Sequence, residues 1–354
     1  MNLNYIIGCA MENTRSFFLY IGITCILIIG ALLLSATHGP LATNGLTVLK
    51  IILGHLLPNM PWMSDGTITP AQDQAVWDFR LPRILLAIIS GAALSLAGML
   101  LQVMVRNPLA EPYILGISSG AGLGAVIAIV AGSTALAGIT LNLAAFLGAI
   151  LTIVLVYFLA LHEDRISSAR LILAGVAIGS FFAALTNFLI MTTNAQNIYS
   201  ILHFMLGSVS AAQWNNLLPP LLALLLASLI AGTRSRALNA MLVGDETATA
   251  LGINVGNLRK MLLALTALLT ATTVSVAGGI GFVGLIVPHL CRMLVGADHR
   301  KLLPLSILGG GAFLGLCDLL ARTLAEPLEI PLGILTATLG APFFLWIMRK
   351  KGIS

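Results

Sequence analysis

Charge is the first thing this chain has little of. Only 9% of its 354 residues are Asp, Glu, Lys or Arg, while 58% are hydrophobic. Soluble domains carry about 25% charged residues. No soluble fold of this length hides so much apolar surface, so the composition describes an all-α, polytopic membrane protein. The apolar runs are about 20 residues long, not alternating segments of about 10, which argues against a transmembrane barrel. Cysteine is scarce as well. Cys9, Cys25, Cys291 and Cys317 form no C-x-x-C pair and read as small apolar residues, not as a disulfide or metal framework. No Gly-Lys dipeptide occurs anywhere, so the chain has no G-x-x-x-x-G-K-[ST] phosphate loop. If ATP drives it, another chain hydrolyses the ATP. No carboxylate pair, Ser/His/Asp set or Cys/His set falls inside an apolar run. A membrane-embedded enzyme would need such a set. A proton-coupled carrier would need an ionisable residue in its core, and Asp318, near one membrane face, is the one candidate. The net charge of +5 does not point to nucleic acid, because Lys and Arg of a membrane protein gather on cytoplasmic loops.

What is present is a series of apolar runs separated by polar or Pro/Gly breaks. They predict ten crossings, at 16–36, 82–104, 113–132, 140–161, 170–191, 213–232, 261–278, 282–296, 302–322 and 331–348. Each is near the roughly 20 residues a crossing needs. The run 282–296 is the weakest, being short and holding Pro288, His289 and Arg292, and 197–211 reads as a further partial helix. The run Phe17 to Ala36 is too long for a signal h-region and reads as a retained first helix. With the N-terminus in the cytoplasm, the inner side holds Arg15, Arg106, Arg165, Arg170, Arg234, Arg236, Arg259, Lys260, Arg292, Arg300, Lys301, Arg349, Lys350 and Lys351. The outer side holds only Lys50, Arg80, Arg83 and Arg322. This asymmetry predicts both termini inside and an even number of crossings. The outer loop 37–81 carries Trp62 and Trp77 at the expected membrane interface and no folded domain of its own.

The most polar stretch between apolar runs is Arg234 to Lys260. Acids at Asp245 and Glu246 followed by a Gly252 stop predict a short helix from Asp245 to Leu251. Two short helices here would form a rigid knob able to carry force from a soluble partner into the bundle. A second inner loop, Arg106-Asn107-Pro108-Leu109-Ala110-Glu111-Pro112, brackets an acid with two prolines. It reads as a rigid helix-to-helix turn or as part of an inner gate. The run Gly279-Ile280-Gly281-Phe282-Val283-Gly284 fits G-x-G-x-x-G, but without a strand before it the glycines read as turn and packing residues. The pairs Gly120/Gly124 and Gly311/Gly315 have the spacing of close helix contacts. His203 and Met205 lie where an outer-face ligand could reach them, although packing is the plainer role. Asp318 and Arg322 stand four apart in the favourable order. Arg80 and Arg83, three apart, are expected on one helix face, with local pairs such as Asp78 with Arg83 or Asp318 with Arg322 as the plain alternative to a partner.

These pieces together resemble the FecCD-type permeases, the membrane subunits of ABC importers for iron-siderophore complexes, haem and vitamin B12. The matching motifs are FRLPR at 79–83, RNPLAEP at 106–112, LGISSGA at 115–121, GDETATALG at 244–252, GFVGLIVPH at 281–289, DHRKLLP at 298–304, DLLAR at 318–322 and PLGILTATLGAPFF at 331–344. Any one alone is weak, but the ordered set covers about residues 75 to 350 and is specific. The resemblance implies a single permease domain over 1–354 with ten helices and the type II importer architecture. It also implies a second permease subunit, a cytoplasmic ATPase dimer that uses the ATP and Mg, a periplasmic substrate-binding protein, membrane lipid around the bundle, and a location in the bacterial inner membrane. The chain itself would hold no cofactor, metal or catalytic residue. Coupling helices at about 239–256 would meet the ATPase through Gly244, Asp245, Glu246, Ala248, Leu251 and Gly252. Arg80, Arg83 and Arg322 would dock the binding protein. Asn107 and Pro108, with Ser167 and Ser168, would form the inner gate. The cargo expected is a metal chelate, iron-siderophore ahead of haem or cobalamin, and the rival class is an ion-coupled carrier working without an ATPase.

Overall fold

The computed structural model describes residues 3–39, 41, 43–57, 60–135, 140–162 and 165–350. Lys351, one of the cations counted above, lies outside them. In chain order the helices are α1 (Leu3–Thr37), α2 (Gly45–Leu56), α3 (Leu81–Val105), α4 (Ile117–Ala135), α5 (Leu141–Ala160), α6 (Ser168–Thr192) and α7 (Ala195–Leu206). They continue with α8 (Trp214–Thr233), α9 (Ser235–Val243), α10 (Asp245–Ala250), α11 (Val255–Ala277), α12 (Val283–Val295), α13 (His299–Thr323) and α14 (Leu332–Lys350). Strands β1 (Leu161–His162) and β2 (Arg165–Ile166) make a two-residue antiparallel pair between α5 and α6. Among the described residues, seven helices are long and apolar enough to cross a membrane: α1, α3, α5, α6, α8, α11 and α13. The shorter α4, α12 and α14 complete the ten crossings expected from the sequence.

The centre of the bundle is α3. Nearly all of it is buried, and it packs along α13 and against α11 and α12. Glycine makes this possible. A Cβ on Gly91 would overlap the carbonyl oxygen of Gly310, and one on Gly98 would overlap that of Gly284. Close backbone approach of this kind gives dispersion and polar contacts where lipid offers no hydrophobic driving force between helices. Gly120 and Gly124 do pack tightly, on α5. On α13 the tightest contact falls at Gly310, one residue before the expected Gly311/Gly315 pair; Gly311 meets the Ile88 side chain and carbonyl less closely, and Gly315 meets the side chains of Ile84, Ile88 and Ala31.

The three short helices differ from simple crossings. α12, with 13 residues, is about 20 Å long, against a hydrocarbon core of about 30 Å. The predicted span 113–132 also starts late: Pro112–Leu115 is a separate 3₁₀ turn closed by Gly116 (φ 74°), and α4 is broken again at Gly132 (φ 75°). The starts of α12 and α14 meet the end of α7 at a knot of irregular backbone. Ser208 N–H donates to Ala277 O at 2.8 Å, Leu332 N–H to Gly207 O at 2.9 Å, and Ile280 N–H to the Tyr113 hydroxyl at 2.7 Å. Phe282, in the left-handed region (φ 69°), gives its N–H to Glu111. Lipid cannot satisfy backbone groups, so helix breaks inside a bundle survive only where protein does so. The GIGFVG run is this turn, as its lack of a strand context predicts.

Candidate functional site

Three regions carry the polar chemistry of the described residues. The first is the cytoplasmic knob. α9 and α10 meet at Gly244 (φ 145°), and Gly252 (φ 80°) ends the second helix before Asn254 caps α11 by accepting from Asn257 N–H at 2.9 Å. The short helix expected from Asp245 is there. Leu238, Met241 and Ala248 face inward. Glu246, Thr247, Leu251 and Gly252 face outward, joined by exposed Leu242 and Val243, which sequence reasoning did not single out. Of the residues expected at an ATPase contact, Ala248 is therefore packing, with no exposed surface of its own.

Asp245, 36% exposed, is engaged by two arginines. Its carboxylate accepts from Arg259 of α11 at 2.9 Å and from Arg106 at 3.3 Å. Arg106 is the left-handed residue (φ 52°) that ends α3 immediately before Asn107. A second clasp holds α9: Asn239 donates to Asp298 at 2.7 Å and accepts from His299 N–H at 2.9 Å. The Asn239 hydrogen bond holds the Asp298 carboxyl below its usual range. Neither clasp was legible beforehand, because each joins residues far apart in the chain.

The second region is the inner loop after α3. Asn107 Oδ1 accepts from Leu109 N–H at 2.9 Å, which shapes the turn ahead of Glu111. Gln102 ties this loop to α12, donating to Gly284 O at 3.2 Å and accepting from Arg292 at 3.0 Å. That contact accounts for the polar Arg292 in the weakest span. Ser167 is the N-cap residue of α6 and Ser168 its first residue, just after the β1–β2 pair. No hydrogen bond joins them to Asn107 among the described residues, so the structure holds the two halves of the expected gate on separate supports.

Glu111 is a partly buried acid with no cation paired to it among the described residues, and desolvation pushes its carboxyl above the ordinary range against the pull of the Phe282 N–H. A raised folded-state value contributes stability that is present below the ordinary value of about 4.3 and is lost as pH rises through the folded value. Glu111→Gln keeps an oxygen for Phe282 and removes the partly buried charge. It is expected to unfold at a higher temperature than the parent at neutral pH. It should also lose the parent's gain in stability on acidification towards about pH 4, as read by thermal unfolding in detergent micelles. Identical pH profiles for the two proteins would show that Glu111 is no burden at neutral pH.

The third region is the outer rim. Arg80, Arg83 and Arg322 converge on one cavity of about 580 Å³, lined also by His38, Glu326 and Glu329. None of the three guanidinium groups is free. Arg80 donates to Ala36 O at 3.0 Å, Leu41 O at 2.6 Å and Thr43 Oγ1 at 2.6 Å. Arg83 Nε donates to Asp318 at 2.9 Å, and its Nη1 donates to both oxygens of Glu329, at 2.8 and 2.9 Å. Arg322 reaches Asp318 at 3.1 Å and also Ser35. Asp318 is completely buried between the two arginines, whereas the Glu329 side chain is 47% exposed. The expected Asp318–Arg322 pair is thus present, and the alternative Asp78–Arg83 pair is not. Asp78 is exposed and faces a different pocket, beside Trp214. Arg80 and Arg83 share the cavity but not their partners, since a turn of π-helix, Ala75–Arg80, precedes α3 and sends Arg80 towards the end of α1. His203 sits beside Tyr199, with ring centroids 6.3 Å apart, and Met205 lines a small pocket with Ser118, Ser119 and Asn187.

Comparison with known proteins gives this geometry its context. The chain is 38% identical to the cobalamin import system permease protein BtuC of Halobacterium salinarum, over 93% of this chain and 95% of that protein. It is 37% identical to the vitamin B12 import system permease protein BtuC of Escherichia coli, over 88% and 95%. It is 42% identical to the ABC transporter permease protein YvrB of Bacillus subtilis, over 81% and 82%. A solved inward-facing structure described as a metal-chelate type ABC transporter superposes with a TM-score of 0.78 at 34% identity, covering 94% of this chain and 99% of that one. The three named relatives are transport permeases. The model of the FecCD transport family matches residues 25–350, and the chain belongs to that family, with the membrane-spanning permease fold of an ABC importer.

Proposed function

We propose that this chain translocates a metal chelate of the corrinoid class by alternating access, driven by ATP hydrolysis in a partner subunit. The observation that carries the cargo is the likeness to two permeases named for cobalamin, one archaeal and one bacterial, each over about nine-tenths of this chain. It puts a corrinoid ahead of the iron-siderophore expected from the motifs. The chain supplies no reactive group for this work and needs none. A partner's nucleotide state has only to bind one arrangement of the bundle better than the other.

The knob is the surface through which that bias enters. Leu242, Val243, Glu246 and Leu251 form an exposed, mostly apolar contact face. Asp245 braces the knob to Arg106, next to the Asn107–Pro108 turn of the inner gate, and Ser167 and Ser168 supply the gate's other loop. A second permease subunit completes the pathway. Both termini lie in the cytoplasm of a multi-pass cell-membrane protein. At the outer rim, a substrate-binding protein docks by offering an acid to Arg83 in place of Glu329, the one exposed partner of the cluster, with Arg80 and Arg322 framing the seat.

The test is uptake into vesicles holding this chain with its ATPase and binding protein, with cobalamin, a ferric siderophore and haem as separate cargoes. The expected result is cobalamin uptake that requires ATP and all components. Uptake driven by an ion gradient with this chain alone would overturn the reading in favour of a secondary carrier. ATP-driven uptake of the siderophore or haem and not of cobalamin would leave the mechanism standing and move the cargo.

A further inference from the structure

Between α1 and α3, the helix α2 is built in an unusual way. One face, Val48 and Ile51, is fully buried against Ile68, Val76 and Leu81, with Trp62, Met63 and Trp77 beside them. The opposite face carries Leu46, Leu49, Leu53 and Leu56, between 42% and 70% exposed. At about 100° per residue these four fall in one arc of about 80°, with no polar residue among them.

The helix is fixed so that this face cannot roll inward. Asn44 caps its N-terminus by accepting from Thr47 N–H at 2.7 Å. Trp62 Nε1 donates to Lys50 O at 3.0 Å, and His55 pairs with Asp73 at 2.9 Å while its ring stacks on Trp77 at 4.1 Å. The preceding turn is held to the outer end of α1 through Arg80, which binds Ala36 O, Leu41 O and Thr43 together.

What lies beside α1 decides what covers the leucines. α1 is the most peripheral crossing: only 6% of its apolar window is buried, and Ile26, Ile29, Leu33 and Leu34 are exposed along it. In a membrane-spanning chain that surface faces lipid. α2 begins a few residues after this lipid-facing helix ends and packs against it, which sets its leucine face beside the same membrane boundary. With 12 residues it is about 18 Å long, too short to cross a core of about 30 Å. Lys50, next to Leu49 at the edge of the leucine arc, is a residue type that settles at headgroup level.

We propose that α2 lies flat in the outer leaflet, with Leu46, Leu49, Leu53 and Leu56 seated among the acyl chains. Such helices sit with the apolar face about 5–10 Å into the headgroup boundary. Through Leu41 and Thr43, just ahead of α2, the leaflet then positions oxygens that hold Arg80, and with them one wall of the outer cavity. The inference does not depend on the cargo or on the ATPase.

The experiment uses the full chain in phosphatidylcholine nanodiscs, with its native cysteines replaced and a nitroxide on Leu49→Cys or Leu53→Cys. Collisions with oxygen, which concentrates in lipid, are compared with collisions with a water-soluble nickel chelate. A label on Glu326→Cys, at the outer rim, marks the aqueous reference. The expected result is an oxygen-to-nickel ratio several-fold higher at 49 and 53 than at 326. A ratio equal to that at 326 would place the face in water. Protection from both reagents would show a protein covering it, and either result overturns the proposal. Cysteine is a mild change for an exposed leucine, and co-elution with the unlabelled chain on gel filtration confirms folding.

Discussion

Asp318→Ala is expected to be the most destabilising single change at the outer face, costing about 3–5 kcal/mol, the range for stripping one partner from a buried pair. The carboxylate is completely buried and serves two arginines, with side chains only 11% and 13% exposed. Its removal leaves Arg322 with Ser35 alone and Arg83 with only the half-exposed Glu329. Desolvated charge without a partner is costly, whereas apolar replacement of a whole pair is often neutral. Asp318→Leu combined with Arg322→Met should therefore recover much of the loss. Glu329→Gln should cost under about 1 kcal/mol, as exposed pairs do. If docking exchanges carboxylates at Arg83, Glu329→Gln should instead speed association of the binding protein and change its salt dependence, since rim charges act mainly on the association rate. Thermal unfolding in detergent and surface-immobilised binding read the two effects separately. Co-unfolding of Asp318→Ala with the parent would show that the cluster does not hold the rim.

That cluster marks where the sequence was legible and where it was not. The crossings could be read because each is a local run, and the knob because acids and a glycine bracket six residues of helix between α9 and α11. The Asp318–Arg322 pair could be read because it spans one helical turn. Arg83 finds Asp318 and Glu329 from 235 and 246 residues away, a pairing that no spacing rule reaches. The same holds for Arg106 with Asp245, 139 residues apart. The interrupted crossings failed for another reason. Hydropathy reads Tyr113 to Leu115 as the start of a crossing, but does not show that their backbone leaves the helix; the turn at Gly279 to Gly281 was legible from its glycines, but not that Tyr113 and Glu111 satisfy the N–H groups of Ile280 and Phe282. The side chains with the most structural work in these places, Gln102 and Glu111, stand in the sequence as isolated polar residues beside glycines and prolines.

Val243→Glu together with Leu251→Glu is expected to abolish ATP-driven uptake while leaving the bundle folded. Both side chains project from the knob, 73% and 67% exposed, so charge there costs the isolated chain little. In a complex the same positions would be central apolar anchors. Loss of such an anchor typically costs about 2 kcal/mol or more, a factor of roughly 30 in affinity for each, and a buried unpaired carboxylate adds to that. Uptake should fall by at least that factor, and the ATPase subunits should no longer co-purify with the chain. Ala248→Leu gives the contrasting case. Ala248 is fully buried, and overpacking there costs about 1–3 kcal/mol by displacing α10 from its seat. Its uptake should fall along with the stability of the knob rather than through the contact face. Asp245→Asn should keep the ATPase bound, because its carboxylate is engaged by Arg106 and Arg259, yet weaken the link from knob to gate. A cysteine at position 107 would then label alike with and without ATP. Full uptake by the Val243→Glu/Leu251→Glu chain would make the knob a passive linker and move the driving contact elsewhere on the cytoplasmic face.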